Sequence, residues 1–81
     1  MILKLVYNKE IHVYDLKSGE SLDCLIFKVK ELFRKLPLHF YLCYKSANDE
    51  EISFENNEDF DQLINSLKAD VKMFKIFIKE K

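Results

Sequence analysis

Few side chains in this 81-residue chain could do chemistry, and the promising ones are charged groups rather than nucleophiles or metal ligands. The only glycine is Gly19, so no glycine-rich loop can cradle a phosphate. His12 and His39 fall in separate strand-like segments, and no Cys/His spacing fits a zinc site. With no cofactor motif and no paired acid and base, the chain is expected not to be an enzyme and to need no cofactor or metal. What remains is electrostatic. Lys4 interrupts the apolar run Ile2-Leu3-Lys4-Leu5-Val6-Tyr7. Strand alternation sends Leu3 and Leu5 inward and projects the Lys4 ammonium from the other side. Acids gather between Asp49 and Asp61, while Lys and Arg gather between Lys28 and Lys35 and between Lys68 and Lys81. The formal total is only −1, so no overall field favours nucleic acid or an acidic membrane. A neutral total with separated patches suits a molecule with a plus end and a minus end, and equally suits two ordinary solvated faces.

The elements that must position these charges can be read from hydrophobic spacing. Met1 to Leu16 reads as a β-hairpin. Its turn is either the tight pair Asn8-Lys9 or a three-residue loop ending at Glu10. The returning strand keeps its register open, because Ile11, Val13, Tyr14 and Leu16 do not alternate strictly. Ser21 is a good helix N-cap, and Asp23 suits the first turn. Leu22, Leu25, Ile26, Val29, Leu32, Phe33 and Leu36 then form one stripe at spacings of three and four, stopped at Pro37. Leu38 to Tyr44 is a third strand with Phe40, Leu42 and Tyr44 inward, and Glu51 to Phe54 a short fourth. Asn56 or Asn57 caps a second helix that buries Phe60, Leu63, Ile64 and Leu67. Val71 to Lys79 is the last strand, with Phe74, Ile76 and Ile78 facing the core. The order ββαββαβ predicts an α+β fold with a mixed five-stranded sheet and helices on one face. The first and last strands should lie side by side and parallel.

Length and composition agree with one self-sufficient domain. Seven Phe and four Tyr supply ample area to bury, so a folded chain and not a disordered one is expected. No apolar run approaches the roughly 20 residues of a transmembrane helix, and no secretory signal precedes Cys24 and Cys43. The thiols are therefore expected to be free and the compartment cytoplasmic. Tyr41 and Phe77, outward on a sheet, raise an RNA-binding alternative by base stacking. No segment matches the aromatic strand motif of RNA-recognition domains, and partial burial of both rings is the plainer expectation.

Two segments carry a resemblance. One is Lys4 within Ile2-Leu3-Lys4-Leu5. The other is Tyr44-Lys45-Ser46-Ala47-Asn48-Asp49-Glu50-Glu51-Ile52-Ser53-Phe54-Glu55-Asn56-Asn57-Glu58-Asp59-Phe60. With this order and spacing, residues 1–80 resemble the Phox and Bem-one (PB-one) domain family. The resemblance implies a ubiquitin-like β-grasp fold. It also implies a protein-interaction domain at the N-terminus of a larger signalling or scaffold protein. In that family a first-strand Lys docks on an acidic loop–strand–helix motif of another copy or another member. Lys4 matches that Lys, and Asp49, Glu50, Glu51 and Asp59 are the acids left in the second segment. Ser46 and Asn48 stand where acidic members carry carboxylates. Ile11-His12-Val13 stands where basic members add Arg in the second strand. The implied role is a basic face of Lys4 with Lys9 and His12, binding the acidic face of another PB-one-type domain, plus a weaker acidic second face. Self-association should be weak or absent, and neither nucleic acid nor membrane is an expected partner. The nearest alternative is another ubiquitin-like adaptor that binds a small GTPase or a ubiquitin-fold regulator through its second strand. A covalent ubiquitin-like modifier is not expected, since Lys79-Glu80-Lys81 carries no Gly-Gly.

Overall fold

The computed structural model describes residues 1–67 and 71–81. Lys68, at the start of the second basic cluster, lies outside the described residues. Strands β1 (Ile2–Tyr7) and β2 (Glu10–Asp15) form the opening antiparallel hairpin. Its turn is the tight pair, with Tyr7 opposite Glu10 and Asn8 at φ 53°, a conformation Asn tolerates better than most residues. Helix α1 (Leu22–Leu32) starts where expected, and the Ser21 hydroxyl accepts from the Cys24 backbone N–H at 3.4 Å. Strands β3 (Phe40–Lys45) and β4 (Glu51–Phe54) follow, then helix α2 (Asn57–Ser66) and strand β5 (Met73–Glu80). Asn56, not Asn57, caps α2, accepting from the Asp59 backbone N–H at 2.8 Å.

The five strands run in the order β2-β1-β5-β3-β4. β1 and β5 are parallel neighbours, and every other pairing is antiparallel. Both helices lie on one face, so the other is open. Leu3, Leu5, Leu25, Val29 and Ile76 meet in a core where each is 0% exposed. A fully buried aliphatic side chain of this kind contributes about 1.5–3 kcal/mol. The expected α+β, five-stranded mixed sheet is the observed fold.

Four expectations need correction. β3 begins at Phe40, leaving Leu38 90% exposed before it. α2 ends at Ser66, so Leu67 is its extended, half-buried C-cap. The helix stripe was expected to continue to Pro37, yet α1 ends at Leu32 and Phe33 is already extended at φ −106°, ψ 115°. The reason is tertiary. Phe33 is buried, with its ring edge-on to His12 at 4.6 Å and to Tyr7 at 6.3 Å between centroids. Phe74 was expected in the core beside Ile76, but it is only half-buried, with Tyr44 5.6 Å away between ring centroids.

Candidate functional site

Sheet register decides which charges share a surface. Leu5, 0% exposed under the helices, pairs with His12 on β2 and Ile76 on β5. Lys4, one residue away, pairs with Val13 and Lys75. Since successive strand residues point to opposite faces, Lys4, Val13 and Lys75 project together from the open face. Lys4 is half-buried there, and its strand has a neighbour on each side. Lys9 is exposed at the hairpin tip.

His12 does not join Lys4. It points to the helix side, against Phe33, with Nε2 2.6 Å from Oε2 of Glu10. The register left open in the sequence thus resolves with His12 and Tyr14 inward and the apolar Ile11 and Val13 outward. Lys75, which sequence reasoning did not single out, takes the place beside Lys4. Its outward direction follows from the alternation of Phe74, Ile76 and Ile78. Its position opposite Lys4 needed the β1–β5 register.

The acids are distributed over three elements. Asp49 and Glu50 lie exposed in the loop between β3 and β4. Asp49 takes φ 63°, so this position serves the turn, and its Oδ1 lies 3.9 Å from Nζ of Lys45. Ser46 organises the same turn, its hydroxyl accepting from the backbone N–H of Asn48 at 3.3 Å and of Glu50 at 3.2 Å. Glu51 opens β4 and pairs with Lys45, a register that turns it to the open face. Its carboxylate accepts from the Cys43 thiol at 3.1 Å and the Tyr41 hydroxyl at 3.3 Å. The thiol hydrogen bond holds Glu51 below the usual carboxylate range against its desolvation, helped by Tyr41, Lys79 and Lys45. Burial first, then the Glu51 contact, pushes the Cys43 thiol up to about 12. Asp59 is exposed in the first turn of α2, beside a shallow cleft bordered by Tyr44, Ile52 and Leu63. Glu55 pairs with Lys81 at 2.8 Å.

Cys24 is exposed and Cys43 buried, and both are free. Tyr41 and Phe77 are half-buried on the open face. Among the described residues, no group of His, Cys, Asp and Glu is arranged to hold a metal ion, and no helix is long and apolar enough to cross a membrane.

The family model described as the PB1 domain matches residues 1–81. Among solved structures, the AtNBR1-PB1 domain is similar to this chain with a TM-score of 0.77, covering 100% of this chain and 97% of that one. At 17% identity that likeness carries the fold alone. Comparison with curated proteins gave no match.

Proposed function

The chain belongs to the PB1 domain family of protein–protein interaction modules, and from that premise we propose that it binds the acidic face of another PB1 domain through Lys4. What supports this reading is the position of Lys4. It stands on a strand fixed on both sides, and no carboxylate lies within ion-pair distance of it among the described residues. A rigid stem reduces the entropy lost when the ammonium meets a partner carboxylate. Lys9, exposed at the tip of the same hairpin, adds charge at the rim. Asp49, Glu50, Glu51 and Asp59 form a second, weaker face. Residues 1–80 would act as one interaction module carried at the N-terminus of a larger cytoplasmic protein. The isolated domain would be mostly monomeric at micromolar concentration.

The test is calorimetry against a PB1 domain that carries carboxylates in its loop between the third and fourth strands. Lys4→Ala should leave the fold intact, moving stability by less than about 0.5 kcal/mol. Binding should weaken by about 2–5 kcal/mol if the pair is desolvated in the complex. Replacing Asp49 and Glu50 together by Ala should matter less. If the acidic variant loses binding and Lys4→Ala does not, the polarity is reversed. If neither matters, the basic-face reading fails. β2 then becomes the surface to test, because it lies at the sheet edge with one side unpaired, as a GTPase-binding adaptor would need.

A further inference from the structure

Lys4 has a like-charged neighbour and, among the described residues, no carboxylate within ion-pair distance. Lys75 sits directly opposite it in the parallel β1–β5 ladder, on the same open face. Strands in a sheet lie about 4.8 Å apart, so the two stems rise side by side. Like charges placed opposite one another destabilise a sheet. A carboxylate nearby would relieve that, but among the described residues none is within ion-pair distance of either lysine. Asp15, on the same face, is instead 3.5 Å from the N-terminal ammonium. The pair persists because β1 and β5 are both interior strands and hold it in place. Lys75 Nζ lies 6.0 Å from the centroid of the Phe77 ring, two residues along on the same face.

The surroundings of the pair are apolar. Ile11, Val13 and Met73 are 52%, 58% and 54% exposed, three of the six exposed large hydrophobic residues of the described chain. All three project from the open face: Val13 opposite Lys4, Ile11 opposite Val6, and Met73 opposite Ile2. Among the described residues no helix covers them. Isolated apolar side chains on a surface mean little, but a set gathered around two uncompensated cations does. Covering such a collar excludes water and lowers the local dielectric, which strengthens the enclosed ion pairs.

We propose that Lys75 is the second cation of the binding face, taking the place next to Lys4 that His12 does not occupy. Together with the collar of Ile11, Val13 and Met73, the pair forms one mixed surface. It fits a partner PB1 loop that presents two neighbouring carboxylates, spaced like adjacent strands, beside an apolar side chain. The proposal rests on the basic-face reading above and adds to it a second cation and an apolar component.

The same acidic-loop PB1 domain serves as the probe. Lys75→Ala should weaken its binding at least ten-fold, and Lys75→Arg should restore most of it. The Lys4→Ala and Lys75→Ala effects should be less than additive, because both lysines contact the same carboxylates. Val13→Ser should leave the salt dependence unchanged but abolish the binding that wild type retains at high salt. Thermal unfolding of each variant verifies that the fold persists. If Lys4→Ala weakens binding while Lys75→Ala and Val13→Ser bind like wild type, Lys4 acts alone and the mixed surface is overturned. If Lys4→Ala also binds like wild type, or the probe does not bind at all, the basic-face reading itself has failed.

Discussion

The two halves of the sheet carry charge in opposite ways. On β1 and β5, Lys4 and Lys75 face outward from interior strands with no internal carboxylate among the described residues. Around β3 and β4 the acids are more numerous, yet three of them, Asp49, Glu51 and Glu55, already have partners. Lys45 lies beside Asp49, Lys81 beside Glu55, and Tyr41 with Cys43 hold Glu51. Counting charges in the sequence would favour the acidic half as the stronger binder. Counting only charges that are held on strands and still unpaired among the described residues favours the basic half. A surface ion pair inside one domain is worth little to stability, but it lowers the electrostatic attraction left for a partner.

Both halves stand on one core, and the largest expected effect is there. Leu25 is fully buried mid-way along α1, under the sheet that carries both faces. Leu25→Ala should cost about 2–5 kcal/mol, through lost transfer energy and a residual cavity. Urea denaturation followed by circular dichroism measures this. A loss under about 1 kcal/mol would mean that α1 does not anchor the two halves together.

The fold was legible wherever spacing and local chemistry decide. The stripe through Leu22, Leu25 and Val29, the Ser21 cap and the short strand Glu51–Phe54 are all observed at their expected places. The end of α1 was not legible, because the burial of Phe33 against β2 is a contact across the fold. The face of His12 was not legible either. β2 has apolar residues on both sides, so alternation cannot orient it, and only pairing with Leu5 does so. Lys4 was readable because Leu3 and Leu5 flank it. Lys75 needed the register between strands about seventy residues apart. The Lys81–Glu55 pair is likewise non-local, so the extent to which the acidic half is engaged was hidden from the sequence.

The acidic half can be strengthened directly. Ser46 and Asn48 lie in the loop that holds Asp49 and Glu50, and Ser46 already accepts two backbone N–H groups there. A carboxylate at 46 can accept the same two bonds, so Ser46→Asp with Asn48→Asp should keep the turn. Wild type should scatter light as a monomer at micromolar concentration. The double variant should form larger species as concentration rises, since a plus face meeting a minus face is a heterologous contact that propagates. Each added exposed pair contributes about 0–1 kcal/mol, so the growth should be modest. It should reverse as salt rises, because the Debye length is about 8 Å at physiological ionic strength and shortens further. Wild-type filaments at physiological salt would show instead that the acidic half is already competent.

The smallest effect separates an engaged acid from an available one, and it falls on Glu51. The Cys43 thiol is the largest contributor holding its carboxyl below the ordinary value of 4.5. A carboxyl with a lowered pKa adds stability above the ordinary carboxylate pKa, and that contribution disappears as pH falls through the folded value. Wild type and Glu51→Gln should therefore differ in unfolding midpoint at neutral pH. The difference should close as the solution is acidified below the ordinary carboxylate range. Carboxyl titration by nuclear magnetic resonance should place Glu51 below 4.5 in wild type, and Cys43→Ala should move it back up. Affinity for the acidic-loop PB1 partner should not change in Glu51→Gln, because that partner meets the Lys4 face and not the weaker acidic one. A loss of binding comparable to that of Lys4→Ala would place Glu51 in a working acidic face and remove the contrast between the two halves.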